Sequence, residues 1–189
     1  MGLATIGKAL IILVAVLIAA GGTLAWRSTL ETVTPLITLN PSTSGPRAIV
    51  VYSPGISDFH SRMVDAFTSG LTESSWSVDT VTASSQATVN LSGYSLLVFG
   101  GPLYGGRPSK PIQGYMERLT SLKGLHVFIL LTAGGSAHGA EEAVADWVSE
   151  RGGVVLGRLT LFSMAPNDAF EGATDPVQIA FKAAQSITK

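Results

Sequence analysis

The stretch AIVVYSPGISDFHSRM, residues 48–63, places an uninterrupted apolar run directly before a short cluster of small and polar residues. The apolar run has the length of a buried strand. After it, apolar residues recur every four positions from Phe59 to Leu71, which is typical of one face of a helix, and Asp58 stands where a helix N-cap belongs. The stretch therefore predicts a strand, a turn and a helix, the units from which α/β domains are built.

The rest of the chain repeats this alternation of strand-like and helix-like segments. Three of the predicted strands are apolar throughout, as parallel strands covered on both faces are. The further predicted strands are SVDTVT (77–82), SLLVFGG (95–101), LHVFILLT (125–132) and VVLGRLTLF (154–162), and the further predicted helices cover 109–120, 140–153 and 176–187. The sequence therefore predicts an α/β fold with a doubly wound, five-stranded parallel sheet and helices on both faces.

The N-terminal region has a different composition, because residues 9–26 carry no charge. Lys8 and Arg27 flank this segment, which would span about 27 Å as a helix and so approach the thickness of a bilayer core. Trp26 would lie at the membrane interface. We therefore predict a single-pass membrane protein anchored by a transmembrane helix over residues 1–27, with the side of the membrane left open. A cleaved signal peptide is the alternative.

A Ser-, Thr- and Pro-rich segment, residues 28–46, predicts a linker between this anchor and a domain over residues 47–189. The net charge is −1 and the basic residues are scattered, which argues against nucleic-acid binding. The chain has no cysteine and three dispersed histidines, so its sequence carries no metal-binding signature and excludes disulfides and thiolate catalysis.

Three glycine-rich loops, 53–58, 100–111 and 132–139, follow three of the buried strands. Ligands of open α/β sheets bind beyond the carboxyl ends of the strands. Turn geometry and helix capping explain each loop alone, but three such loops at one edge predict a binding site. The first loop offers hydroxyl and N–H groups at a helix N-terminus, which favour phosphate. The second places Tyr104 between glycines that let the backbone approach a flat ring.

On these motifs, residues 47–187 resemble the flavodoxin-like family, which binds FMN. Ser53, Gly55 and Ser57 match the family's phosphate loop, Ser/Thr-x-Thr-Gly-x-Thr, although the loop here is one residue shorter. The segment GGPLYGG, 100–106, is similar to the Gly-x-Pro-x-Tyr-x-Gly run that packs against the isoalloxazine ring. The segment beginning LLTAGGSAHG, from residue 130, resembles the third flavin loop.

The resemblance implies a flavodoxin-like sheet with strand order 2-1-3-4-5, FMN as cofactor, and a binding site drawn from all three loops. The cofactor-binding residues that it implies are Ser53, Gly55, Ile56, Ser57, Gly101, Pro102, Leu103, Tyr104, Gly105, Gly106, Thr132, Gly134, Gly135 and His138. In the related flavodoxin-like quinone reductases, a histidine in the third loop contacts quinone or flavin, which suggests such a role for His138. We expect His60 to face solvent and His126 to be structural.

Two functions remain open on the sequence alone. The first is a membrane-anchored FMN protein that exchanges electrons with an unknown redox partner or a quinone, either as a carrier or as an oxidoreductase. The second is a membrane-tethered interaction module that has lost FMN, which the short loop and Pro54, a residue without an N–H group, would favour. A serine hydrolase is disfavoured, because GGSAHG (134–139) has His138 where the nucleophile elbow requires glycine.

Overall fold

The computed structural model describes residues 3–187, which form an α/β domain preceded by a helix. The helices are α1 (Leu3–Arg27), α2 (Phe59–Glu73), α3 (Lys110–Arg118), α4 (Ala140–Glu150) and α5 (Pro176–Gln185). The strands are β1 (Ile37–Leu39), β2 (Arg47–Tyr52), β3 (Ser77–Thr82), β4 (Leu96–Tyr104), β5 (Arg107–Pro108), β6 (His126–Ala133) and β7 (Val154–Phe162).

The sheet is mostly parallel, with β3, β2, β4, β6 and β7 as neighbours in that order. Strand β1 is added antiparallel to β3 at the edge, and β5 turns back antiparallel on β4. The predicted count of five strands is therefore wrong. The full strand order also differs from the predicted 2-1-3-4-5 because of the added edge strand, although the five parallel strands keep those neighbour relations among themselves.

Two hydrophobic cores lie on the two faces of the sheet, which explains why the central strands are apolar throughout. On β2, Ala48 and Val50 face the core beneath α2 and α5, whereas Ile49 and Val51 face the core beneath α3 and α4. Successive side chains of a strand point to opposite faces, so a strand covered on both sides has no polar positions. Because helices cover both faces of the sheet, a ligand-binding site is expected at its carboxyl edge.

The predicted transmembrane anchor is wrong, and with it the predicted membrane localisation. The segment does form a helix, α1, but within residues 3–187 no helix combines the length and apolarity that crossing a membrane requires. The uncharged segment is close to the lower limit of length for a membrane span, and residues 19–25 (AAGGTLA) supply mostly small side chains.

The segment predicted as a linker lies along the edge of the sheet. It contains β1, and Thr34 donates its backbone N–H to the Thr82 hydroxyl at 3.0 Å. Glu31 accepts hydrogen bonds from the backbone N–H and the hydroxyl of Ser85, both at 2.9 Å. Because β1 runs antiparallel to β3, the chain before β1 returns to the carboxyl end of β3. The end of α1 therefore lies at the carboxyl edge of the sheet.

Candidate functional site

The first and second glycine-rich loops are in direct contact at the carboxyl edge of β2 and β4. Gly55 has φ +83°, and a β-carbon there would lie 2.7 Å from Pro102 Cγ and 3.1 Å from the Tyr104 hydroxyl. The Ile56 N–H donates a hydrogen bond to that hydroxyl at 2.9 Å. Only glycine combines this backbone conformation with so close an approach, so Gly55 fixes how the two loops meet.

The second and third loops also meet. Gly106 has φ +76°, and a β-carbon there would lie 3.0 Å from His138 Cβ. His138 is exposed and has φ +49°, a left-handed conformation that is uncommon outside glycine. A further loop, after β7, covers the third one, since a β-carbon at Gly134 would lie 2.8 Å from the Met164 side chain. This covering loop is not one of the three loops predicted from the sequence.

A cavity of about 220 Å³ opens where these loops converge. Of the predicted residues it is lined by Ile56, Ser57, Pro102, Leu103, Tyr104, Thr132 and Gly134. Three further lining residues, Phe59, Ala133 and Ser163, were not among the predicted ones. The other predicted residues lie in the loops or at the contacts between elements but do not line this cavity: Ser53, Gly55, Gly101, Gly105, Gly106, Gly135 and His138.

Gly101 occupies a different environment from the other predicted glycines. It lies within β4, and a β-carbon there would lie 2.8 Å from Ile112 Cγ1 and 3.2 Å from the Ser109 hydroxyl oxygen. The absence of a side chain therefore lets α3 pack closely against the strand. A β-carbon at Gly105, by contrast, would have no atom within 4 Å.

A smaller cavity of about 130 Å³ lies beside the first loop. One wall is Ser53 to Ile56, and the other is formed by Arg27, Ser28, Leu30 and Thr32 from the chain after α1. Ser53 is only 4% exposed, and its hydroxyl has no hydrogen-bond partner within residues 3–187. The wall supplied by the N-terminal region was not expected, because that region was predicted to lead away to a membrane.

The N-terminus of α2 faces the first loop without a side-chain cap. Asp58 is the N-cap residue, at the predicted position, but it has a helical backbone conformation and its side chain makes no capping hydrogen bond. Its carboxylate instead lies 4.0 Å from the Arg62 guanidinium, four residues along the helix. The first N–H groups of a helix have no intrahelical partner, and here they remain available to an anion.

His60 is buried at 1% exposure, so the prediction that it faces solvent is wrong. It lies on the inner face of α2, three residues before Met63 and seven before Phe67. Its Nδ1 is 3.1 Å from the Thr132 hydroxyl, and its Nε2 is buried with no hydrogen-bond partner. Burial lowers the pKa of His60 to about 3, against a smaller opposing effect of the Gly100 carbonyl. The imidazole is therefore neutral at physiological pH.

Tyr104 joins the two parts of the candidate site. Burial raises the pKa of its hydroxyl, and the hydrogen bond from the Ile56 N–H opposes that rise. The hydroxyl is consequently protonated at neutral pH and serves as an acceptor for the first loop. Whether its ring also packs against a ligand stays a prediction.

The chemistry of this edge fits FMN. The unpartnered hydroxyl of Ser53 and the uncapped N-terminus of α2 suit a phosphate, and the cavity between Pro102, Tyr104 and Gly134 suits the edge of a flat ring. Cavities that enclose a whole small-molecule ligand usually measure about 300–1,000 Å³. The cavity of about 220 Å³ therefore leaves part of such a ring outside it.

No protein-family model and no curated protein matches this sequence. Among solved structures, the chain is similar to a flavodoxin from the domain Archaea, at 18% identity and a TM-score of 0.60, over 74% of this chain and 94% of that one. The two-electron reduced flavodoxin of Megasphaera elsdenii gives 17% identity and 0.59, over 74% and 99%. Oxidised flavodoxin 2 of Bacillus cereus gives 16% and 0.58, over 73% and 94%. The chain thus has a flavodoxin-like α/β fold.

Proposed function

We propose that this protein binds FMN non-covalently at the carboxyl edge of its sheet and takes part in electron transfer. The observation that supports this most directly is the placement of two complementary cavities side by side. One, lined by the first loop from Ser53 to Ile56, suits a phosphate, and the other, between Pro102, Tyr104 and Gly134, suits a ring. Bound FMN would supply reversible electron chemistry, which no amino-acid side chain of this edge supplies.

In this proposal the chain's own residues bind and orient the cofactor. Ser53 and the N–H groups at the start of α2 hold the phosphate, and Gly55 sets the distance between the phosphate loop and the second loop. The exposed His138, packed against Gly106, lies at the outer rim of the loops, where a redox partner protein or a quinone would approach. Oxidoreductase activity of its own would require a substrate at that rim.

A second candidate function is an interaction module that keeps the fold without the cofactor. One observation favours it: the Tyr104 hydroxyl already accepts the Ile56 N–H, and Pro54 has no N–H to offer, so the first loop presents fewer donors than its length suggests. Such a protein would be folded and colourless.

Titration of the purified full-length chain with FMN, followed by flavin fluorescence and absorbance, distinguishes the two functions. The electron-transfer proposal predicts binding with a Kd of about 1 μM or tighter. Ser163→Trp would fill the ring cavity from its exposed border and weaken FMN binding at least about tenfold. Ser121→Trp, an exposed serine at the opposite edge of the sheet, is the matched control and should leave binding unchanged.

A folded chain that neither quenches FMN fluorescence nor shifts the flavin absorbance bands would overturn the electron-transfer proposal. The interaction module would then be the better description. Equal weakening by both tryptophan variants would show that the ring cavity is not where FMN binds.

A further inference from the structure

The chain just after α1 forms one wall of the smaller cavity, opposite the first loop. Arg27 is the last residue of α1 and the only basic residue among those that line this cavity. Its side chain is exposed, and within residues 3–187 it takes part in no ion pair. The cavity thus brings an unpaired guanidinium group to a loop with the composition of an anion-binding loop.

Hydrogen bonds hold this wall in place. Directly after α1, the Thr29 N–H donates to the Trp26 carbonyl at 3.0 Å, and the Leu30 N–H donates to the Arg27 carbonyl at 3.3 Å. Further along, Glu31 and Thr34 are bound to residues that follow or end β3, and β1 then joins the sheet. The position of Arg27 beside the first loop therefore follows from a series of specific contacts.

The first loop by itself supplies few donors to an anion. Pro54 has no N–H, and the Ile56 N–H is taken by the Tyr104 hydroxyl. The Gly55 N–H and the Ser53 hydroxyl remain, and the hydroxyl belongs to a residue that is 4% exposed, lines the cavity and has no side-chain partner within residues 3–187. A hydroxyl that lines a cavity and has no protein partner is free to donate a hydrogen bond to a ligand there.

We infer that Arg27 and Ser53, on opposite walls of this cavity, form a phosphate-monoester site. The Arg27 guanidinium binds the phosphate group and compensates for the donors that the first loop lacks. Charge-assisted hydrogen bonds from arginine to phosphate are about twice as strong as neutral ones and are often bidentate. The inference rests on the proposed function where it assigns that phosphate to FMN. It makes the N-terminal region part of the binding site.

Comparison of FMN with riboflavin, which lacks the phosphate, tests this role in the full-length chain. Arg27→Gln should weaken FMN binding about tenfold or more and leave riboflavin binding unchanged. Arg27→Lys should restore part of the FMN affinity because it keeps the charge. The matched control is Lys123→Gln, which removes one positive charge beside the cavity at the opposite edge of the sheet and should change neither affinity. The Tm of each variant checks that it remains folded.

The outcomes separate this inference from the proposed function. FMN bound equally well by Arg27→Gln and the unchanged chain would overturn the role of Arg27 and leave FMN binding intact. If the unchanged chain binds neither FMN nor riboflavin, the proposed function fails, and phenyl phosphate becomes the probe. Calorimetric binding of phenyl phosphate that Arg27→Gln abolishes would then support the anion site, whereas no binding would overturn it as well.

Discussion

Two clusters of buried polar groups in this sheet differ in how completely their members are partnered. The Asp79 cluster comprises Asp79, Arg47, Tyr94 and Thr38, and the Asp79 carboxylate accepts hydrogen bonds from all three of the others, including one of 2.7 Å from Arg47. The His60 cluster, at the carboxyl edge, comprises His60 and Thr132. There the His60 Nε2 has no hydrogen-bond partner within residues 3–187.

The electrostatics of the two clusters follow from this difference. Burial alone would raise the pKa of Asp79, but hydrogen bonds from Thr38, Tyr94 and Arg47 outweigh it and hold that pKa below its usual value. Burial and the Asp79 carboxylate raise the pKa of Tyr94 to about 12. His60 has no charged partner, so its neutral form is the one that folding selects. The Asp79 cluster thus stabilises a fixed charge, whereas the His60 cluster keeps unused hydrogen-bonding capacity beside the candidate site.

Among the variants that test this comparison, Arg47→Met should cause the largest decrease in the free energy of unfolding. Asp79 is 2% exposed, so removal of its cation leaves a buried carboxylate without charge compensation. Loss of one partner of a fully buried ion pair costs about 3–5 kcal/mol, and the cost here is lower because the Arg47 side chain is 49% exposed. We expect a decrease of about 2–3 kcal/mol in the free energy of unfolding, measured by urea denaturation at pH 7.

The control for that variant is Arg158→Met, because the pair between Arg158 and Glu142, 3.5 Å apart, is exposed on both sides. Its loss should cost about 0.5 kcal/mol or less. Addition of Asp79→Asn to Arg47→Met should recover part of the lost stability, since no charge then remains buried. Similar small losses for both single variants would show that the Asp79 cluster is not a stabilising network.

His60 should make the free energy of unfolding depend on pH, with an effect somewhat smaller than that of Arg47→Met. Its pKa in the folded chain, about 3, is below the value of 6.5 for an unperturbed histidine, so between these values the unfolded chain binds more protons. Stability is therefore lost as pH falls below about 6.5. Between pH 7 and pH 5 this group alone should cost about 2 kcal/mol, and His60→Gln should remove that part of the slope.

His126→Gln serves as the control for the pH experiment, because His126 is exposed at the start of β6. It should leave the pH dependence of the free energy of unfolding as it is in the unchanged chain. If stability falls as steeply with pH in His60→Gln as in the unchanged chain, the lowered pKa of His60 in the folded chain is contradicted.

The parts of the fold that were predicted correctly are those in which the buried residues form a regular pattern along the sequence. The four-residue spacing from Phe59 to Leu71 and the continuous apolar runs of the central strands both follow from contact with a core. Strands β1 and β5 have three and two residues, too few to show a period. Their positions depend on pairing with distant strands, which a local pattern does not contain.

In the candidate site, too, the features with a local sequence pattern were predictable, whereas those that depend on distant strand pairing were not. Glycine-rich loops after buried strands were predictable, because α/β sheets bind ligands at that edge. His60 was also within reach of sequence analysis, since it continues the inner face of α2 by one turn. Arg27 was not, because its place beside the first loop depends on the antiparallel return of β1. The uncharged run before it, with its flanking charges and Trp26, predicts a membrane span, which the structure does not support.

The smallest effect concerns Tyr104, whose hydroxyl connects the two loops. Tyr104→Phe leaves the Ile56 N–H without an acceptor and should cost about 1 kcal/mol in the free energy of unfolding without ligand. A bound phosphate can accept the released N–H, so FMN should stabilise this variant at least as much as it stabilises the unchanged chain. The measurement is the increase in Tm on addition of saturating FMN.

Tyr115→Phe is the matched control, because the Tyr115 hydroxyl donates to the Thr88 carbonyl at 2.8 Å, away from the three loops. It should lower stability by a similar amount without altering the increase in Tm that FMN produces. A smaller increase in Tyr104→Phe than in Tyr115→Phe would mean that the Tyr104 hydroxyl supports ligand binding. The Tyr104 hydroxyl would then position the first loop for FMN. It would not compete with the phosphate for the Ile56 N–H.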